Sequence, residues 1–404
     1  MRLQRSPKAS ADTGIRTMPP EETLKRVLPL LAAAGIDPLE DITSKDNIGI
    51  PVFSIARQTT AHGKAKFYNG KGPTPEQAKA SAIMEAMERY SAEMRDTDEI
   101  IHGTVDEAIS TGIMTLDPAE MILPMRMMSY YRNDAIAWCR GYEMFRGEEI
   151  WVPACAVYHP YFPDGDIQLF RYHTNGLATG NTMEEAILHS ILELVERDAW
   201  SIYEFRERPG PDITVPGNSL CAELIKKFND NGVEIHLKDL TSDIGIPTIG
   251  AAADDVRTKD PELLSIGVGT HLNPEIAAVR ALTEAAQSRT THKHGSKINA
   301  KMQEMNREMG YEKIKKVNRM WYSVSGSTVG LSDIERLDTP YVLDDIEVVF
   351  DRLAGCGFDK VIAVDLTRPE INVPSVRMII PGLEVSTMDP EREGPRLRGV
   401  CNRG

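Results

Sequence analysis

The chain has 404 residues, 41% of them apolar and 26% charged, enough to bury a sizeable core, and its length alone allows two or three domains. Sixty acidic residues against 46 Lys plus Arg leave a formal charge of −14, a field that repels phosphates and argues against nucleic-acid or anionic-membrane partners. A phosphate ligand would therefore need metal ions or locally gathered basic side chains. The five cysteines are scattered without a Cys-x-x-Cys pair, which argues against structural zinc. No apolar run approaches the ~20 residues that span a bilayer, so a cytoplasmic protein with reduced thiols is expected.

In chain order, residues 1–20 are basic and poor in apolar side chains and are expected to form a flexible tail. Leu24, Val27, Leu28 and Leu31 share one face of a helix over 21–34 that should stop at Gly35, giving an N-terminal helical segment over 21–48. Extended runs are predicted at 51–56, 150–158, 233–237, 246–252, 263–268, 361–364 and 376–380. Helices alternate with them at 74–95, 182–206, 219–229, 274–288 and 346–356. Thr74-Pro75-Glu76-Gln77 supplies an N-cap, a first-turn proline and a capping-box Gln. Strands and helices intermixed without a low-complexity linker predict an α+β fold with one large catalytic domain over 49–390 and a C-terminal tail over 391–404.

One helical face occurs three times. In the first helix Ser81, Glu85, Glu88 and Arg89 share an arc of roughly 100° at 3.6 residues per turn, with Ile83, Met84, Ala86 and Met87 opposite. His189, Glu193, Glu196 and Arg197 repeat those offsets over Ile191, Leu192, Leu194 and Val195. The third copy, Arg280, Glu284 and Gln287, keeps the first two and ends in an amide; Arg289 projects to the back of that helix. Each helix alone reads as an ordinary amphipathic helix with solvated Glu and Arg. Three matching copies can instead converge. Facing carboxylates repel unless neutralised, and Mg²⁺ is the hard cation that takes carboxylate oxygens together with a substrate's phosphates. Arg89, Arg197 and Arg280 are the bidentate donors those phosphates accept. No P-loop competes, and Gly267-Val268-Gly269 lacks the third glycine of a dinucleotide fingerprint. Gly70-Lys71-Gly72, just before a helix, offers backbone N–H groups and an ammonium, or is simply a turn.

These stretches resemble the YcaO family. The matching blocks are Gly70-Lys71-Gly72 with the helix through Arg89, then 174–182 leading to Glu193-Leu194-Val195-Glu196-Arg197-Asp198, then 280–289, and finally Pro381-Gly382-Leu383-Glu384. The resemblance covers about residues 50–385 and implies a YcaO-type fold with mixed sheets and packed helices, its ATP site formed by three helical motifs. It implies ATP and Mg²⁺ as cofactors, with Glu85, Glu88, Glu193 and Glu196 as metal ligands. Ser81, Arg89, Lys71, Arg197, Arg280 and Gln287 are the implied ATP contacts, and Ser54 and Arg57 are further expected ones; no catalytic base is implied. The implied reaction is O-phosphorylation of a peptide backbone amide. Sulfide as nucleophile gives a thioamide, and an internal Cys, Ser or Thr gives an azoline. The chain departs from azoline-forming members in lacking a proline-rich C-terminus and a fused peptide-binding domain. It therefore looks like the stand-alone archaeal branch, whose TfuA-partnered enzymes thioamidate a glycine of methyl-coenzyme M reductase. The expected partners are a protein or peptide substrate, a TfuA-like protein and an external sulfide donor, with a homodimer allowed. Azoline cyclodehydration is the rival within this class; a non-catalytic nucleotide-binding scaffold assisting a methylthiotransferase is the rival outside it.

Other residues read as structural. His189 stands where the first motif has serine and is expected to be a satisfied histidine. Cys139, Cys155 and Cys221 read as buried and inert. His292-Lys293-His294 reads as a solvated loop, Asp254-Asp255 and Asp344-Asp345 as turn or cap residues, and Met121–Met128 as packing.

Overall fold

In the computed structural model, residues 1–10, 14–58, 65–206, 209–295 and 300–398 are described, and they form a mixed α+β fold. Helix α1 (Pro20–Val27) precedes β1 (Glu40–Asp41), β2 (Val52–Gln58) and β3 (Ala65–Lys71), an antiparallel sheet on which α2 (Pro75–Ser91) packs. Next come β4 (Ile100–Gly103), α3 (Val105–Ser110), β5 (Met114–Thr115), β6 (Ile136–Glu143), β7 (Glu148–Pro153), β8 (Leu177–Thr179) and α4 (Met183–Glu204). They are followed by β9 (Asp212–Thr214), α5 (Leu220–Asn229), β10 (Glu234–Asp239), β11 (Thr248–Asp254), β12 (Ser265–Thr270) and α6 (Pro274–Lys293). Short helices α7 (Ala300–Met309), α8 (Tyr311–Val317) and α9 (Arg319–Tyr322), strand β13 (Thr328–Gly330), α10 (Val342–Gly355), β14 (Ile362–Asp365) and β15 (Ser375–Ile379) complete the chain. The second sheet has the order β12-β11-β10-β9-β13; the third runs β5-β7-β6-β14-β15-β8, with β4 beside β6.

Local chemistry sets the helix starts. Thr74 accepts from the Gln77 N–H in a full capping box, and Thr182 accepts from the Glu185 N–H. The α1 helix ends earlier than its apolar spacing predicts, because Pro29 cannot donate to a further α-turn; a 3₁₀ turn over Leu28–Leu30 carries the chain to Gly35, at φ +63°. Conversely α6 runs past Ser288 to Lys293, and Arg289 is buried on its back against Asp46 and Asp255 at 3.0 and 3.1 Å. Strands β3 and β6, absent from the sequence-based prediction, carry lysine, asparagine or glycine among their apolar residues and show no clean alternation.

Two glycine sites let helices lie directly on strands. A Cβ on Gly70 would stand 2.0 Å from the Ala82 nitrogen, and one on Gly267 or Gly269 would stand 2.2 Å from a carbonyl oxygen of α6. The apolar side of α2 packs with Phe53, Ile55 and Tyr68, whereas the apolar sides of α4 and α10 share a core with Val376 and Met378 of β15.

Both ends depart from the tails expected of them. Within 1–20, Arg5 pairs with Asp344 at 2.7 Å, Lys8 with buried Asp345 at 2.6 Å, and Ile15 is buried among α4 side chains. At the other end buried Arg396 grips Asp198 at 2.8 and 2.9 Å and also Asp243. The Glu384 carboxylate accepts from the Gly394 and Arg396 N–H groups at 2.8 and 2.9 Å. Composition misses this docking because ion pairs and backbone hydrogen bonds to carboxylates do more than the few apolar residues, such as Ile15, to hold the segments. Residues 11–13 and 399–404 of those predicted tails lie outside the described residues.

Candidate active site

The three repeated helical faces come together. Helix α2 is tied to β8 by the Thr179 hydroxyl, which donates to the Met84 carbonyl at 3.0 Å. The Thr270 N–H at the end of β12 donates to Glu196 on α4 at 3.0 Å, directly before the turn into α6. The Gln287 amide of α6 donates to the Asn69 carbonyl of β3, and Lys71 at the end of β3 pairs with Glu284 of α6 at 2.6 Å. Each helix is therefore fixed to the strand that feeds its neighbour.

Carboxylates and guanidinium groups meet where these elements converge. Arg89 pairs with Glu88 at 2.9 Å and Glu85 at 3.3 Å, and Arg197 lies 3.6 Å from Glu196 while its guanidinium faces the Trp200 ring at 5.0 Å. Burial, opposed by Arg89 and reinforced by Glu193 and Glu85, pushes the Glu88 carboxyl up to about 8. Burial likewise raises Glu193, against Arg197, Arg89, Arg377 and Arg280. Glu196 is pushed up to about 7 by burial, with Arg197 opposing and Glu284 adding. For Glu284 burial is outweighed by Lys71, Arg197 and Arg280, and its carboxyl stays below the ordinary range. Carboxylates on two facing helices thus lack enough positive charge at neutral pH, the condition a divalent cation relieves. Nearby, Nε of Arg197 and Nε of Arg280 are buried without hydrogen-bond partners. Unpaired guanidinium donors beside under-neutralised carboxylates fit a metal-bound polyphosphate.

Ser81 is half-buried one helical turn before Glu85. Ser54 of β2 sits opposite Asn69 in register and shares with Asn69 and Lys71 the sheet face turned toward α6. Arg57 is a correction. It lies on the other face of β2, locked to Glu93 at 2.9 Å and to the Ala34 carbonyl at 3.2 Å, so its donors serve the fold. An odd residue separation along a strand puts two side chains on opposite faces, which is why Ser54 and Arg57 part company.

His189 occupies the position corresponding to Ser81, 3.1 Å from Arg16, and burial plus Arg16, Arg280 and Lys71 hold it neutral. Two members of the cluster are absent from the predicted ligand sets. Glu284 was legible, since it repeats Glu85 and Glu193; Arg377 was not, since it arrives on β15 from the far end of the chain. The other singled-out groups lie elsewhere. His292 and His294 pair separately with Glu262 and Glu40, at 3.3 and 3.8 Å, so they do not share a metal. Asp254, Asp255 and Asp345 are buried ion-pair partners of Lys315, Arg289 and Lys8, not plain turn or cap residues. Cys139, Cys155 and Cys221 are buried with their thiols pushed up by desolvation; Cys401 lies outside the described residues. Met121 is buried as packing, but Met125 and Met128 are exposed.

The family model described as "YcaO cyclodehydratase, ATP-ad Mg2+-binding" matches residues 69–384. An uncharacterized protein of Methanothermobacter thermautotrophicus is 45% identical over 382 residues, 94% of this chain and 97% of that protein. An uncharacterized protein in the tfuA 3′ region of Rhizobium leguminosarum bv. trifolii is 30% identical over 411 residues, 95% of this chain and 92% of that protein. Among solved structures, YcaO from Methanopyrus kandleri bound with AMPPCP and Mg²⁺ superposes with a TM-score of 0.80 at 30% identity, covering 96% of this chain and 98% of that one. A heterocyclase in complex with substrate and cofactor shares the fold, with a TM-score of 0.81 at 22% identity over 95% of this chain and 54% of that one.

Proposed function

The chain belongs to the YcaO family of ATP- and Mg²⁺-binding, peptide-modifying enzymes, and from that premise we propose that it activates a peptide backbone amide and converts it to a thioamide. The observation that carries this reading is the meeting of α2, α4 and α6 in a cluster whose carboxylates are under-neutralised and whose arginines keep unpaired donors. In this reading Glu85, Glu88, Glu193 and Glu196 hold Mg²⁺, while Arg89, Arg197, Arg280 and Lys71 take the phosphates. Ser81, Gln287 and Ser54 complete the nucleotide's surroundings. Bound Mg²⁺ would neutralise charge on the triphosphate.

An amide oxygen is a poor leaving group, and phosphorylation makes it a good one. Hydrosulfide adds to the amide carbon and the carbonyl oxygen takes the γ-phosphoryl group, releasing ADP. Loss of phosphate, with the thiol proton, then leaves C=S. The chain's own task is to hold both reactants in line, because positioning supplies most of the rate in such transfers.

Sulfide comes from outside the chain in this scheme, and Cys139, Cys155 and Cys221, buried with raised thiols, are not placed to carry it. A TfuA-like partner is supported by the relative in the tfuA 3′ region, and a glycine of methyl-coenzyme M reductase is the proposed target. A cytoplasmic setting follows from the need for free sulfide and thiols; among the described residues no helix is long and apolar enough to cross a membrane.

The deciding experiment combines protein, ATP, Mg²⁺, sulfide, TfuA-like partner and peptides around the target glycine, read by intact mass. A gain of about 16 Da supports thioamidation; a loss of about 18 Da assigns azoline formation instead, and an unchanged mass favours a scaffold.

A further inference from the structure

The repeated faces of α2 and α4 hold their arginines differently. Arg89 on α2 is kept by carboxylates of its own helix, hydrogen-bonded to Glu85 at 3.3 Å and paired with Glu88 at 2.9 Å. Arg197, its counterpart on α4, makes no hydrogen bond among the described residues, and the one carboxylate within 4.0 Å, that of Glu196, stands 3.6 Å away. What faces Arg197 instead is an aromatic ring. Three residues beyond the arginine the first copy has Ala92 and the second has Trp200, and residues three apart on a helix are neighbours. The Arg197 guanidinium carbon lies over the Trp200 ring, 5.0 Å from its centroid, inside the range in which the ring quadrupole attracts a cation.

Trp200 is itself anchored. Its Nε1–H donates to Glu204, one turn further along α4, at 2.7 Å. Its ring meets that of Trp321 on α9 edge to face, with centroids 6.0 Å apart and planes at 80°. Trp321 is only 2% exposed and lies against β11 where Gly250 has no side chain; a Cβ there would stand 2.4 Å from the indole. Trp321 packs with Ala252 and Val268, whereas Ile249, Ala251 and Ala253 of the same strand pack with α6, so the anchor stands on the opposite face of the second sheet.

A carboxylate holds a guanidinium by engaging its N–H groups. A ring under the face of the cation engages none of them, because all five lie in the guanidinium plane and point outward. Arg197 is therefore held with its donors unengaged, and 17% of its side chain stays exposed. We propose that Trp200 is a positioning residue for the nucleotide, which holds the Arg197 guanidinium by its face and leaves the N–H groups to a phosphate. A Mg²⁺ held by Glu196 would leave the ring as the contact that keeps Arg197 in place. The proposal rests on the reading of Arg197 as a phosphate contact and adds how its donors are kept available.

Calorimetric titration of the full chain with ATP in the presence of Mg²⁺ tests it. Arg197→Met should weaken ATP at least about tenfold, the value of a charge-assisted contact. Trp200→Leu removes the π face and should weaken ATP about threefold to thirtyfold, and Trp200→Phe, which keeps a smaller face, should fall between Trp200→Leu and the parent chain. In the Arg197→Met background Trp200→Leu should change ATP affinity less than about twofold, because the ring then has no cation to hold. A tryptophan that only supports the fold would weaken ATP equally in both backgrounds, and equal losses overturn the proposal. Parent-like affinity in Trp200→Leu, or Trp200→Phe binding no better than Trp200→Leu, also overturns it. Trp200→Met, which fills more of the volume without a π face, replaces Trp200→Leu in the cycle if the latter does not fold. Parent-like affinity in Arg197→Met would reject Arg197 as a phosphate contact, and the proposal with it; a loss there without any in Trp200→Leu rejects the positioning role alone.

Discussion

At the scale of single residues the distinctive feature is acidity shifted upward. Glu88 at about 8 and Glu196 at about 7 bind protons in the folded chain that they release when it unfolds at neutral pH. The folded form then holds more protons than the unfolded one, so stability of the metal-free protein falls as pH rises through the interval from about 5 to 8. Melting temperatures recorded across that range should drop, Glu88→Gln should flatten the slope, and Mg²⁺ should protect most at the alkaline end. Metal binding near neutrality should also release on the order of one proton, visible as a buffer-dependent heat in calorimetry. Substitution of Glu193 or Glu196 by Gln should abolish Mg²⁺-dependent ATP turnover while circular dichroism stays native; full turnover in both variants would remove them from the metal site. Arg280→Ala should weaken ATP binding by about tenfold or more, the value of a charge-assisted contact to phosphate. Glutamate and arginine types, with their spacing, were legible in the sequence. Their shifted acidity was not, because it arises from burial and from charges on other helices.

At the scale of elements, what brings the cluster together is backbone proximity between helix and strand. Gly70 lets α2 lie on β3, and Gly267 with Gly269 lets α6 lie on β12. Gly70→Ala forces a methyl into the backbone of α2, a clash no side-chain rotation relieves, and should cost about 3 kcal/mol or more. Gly217→Ala, where an added Cβ meets nothing within 4 Å, should stay within about 0.5 kcal/mol. Denaturant midpoints for both variants test the contrast. The helix starts were readable because caps are local: Thr74 and Gln77 sit three positions apart. Strands β3 and β6 were not readable because neither alternates cleanly, although each pairs with a strand next to it in the chain, β3 with β2 and β6 with β7.

At the scale of the whole molecule, the described N- and C-terminal segments are both docked on the fold. Arg396 closes over Asp198, two positions beyond Glu196, so the C-terminal segment braces the helix that carries half of the proposed metal ligands. Arg396→Ala leaves the Asp198 carboxylate buried and unpaired and should destabilise the chain by about 3–5 kcal/mol. Pairing it with Asp198→Asn should recover part of that loss in a double-mutant cycle read by thermal unfolding, since the buried charge then goes with its partner. Additive losses would show that the two residues act separately.

The sequence by itself determined which side chains share a helical face, where the side-chain-capped helices α2, α4, α5 and α6 begin, and which cofactor chemistry such a face can support. A 3.6-residue period and a capping residue need no knowledge of the rest of the chain. Only the tertiary structure decided that Arg377 joins the cluster, that Arg57 turns away from it, and that the described N- and C-terminal segments are docked. Those outcomes depend on contacts between elements that are separate in the chain, from Arg57 with Ala34 and Glu93 to Lys8 with Asp345, whose free energy exists only once the sheets and helices have packed.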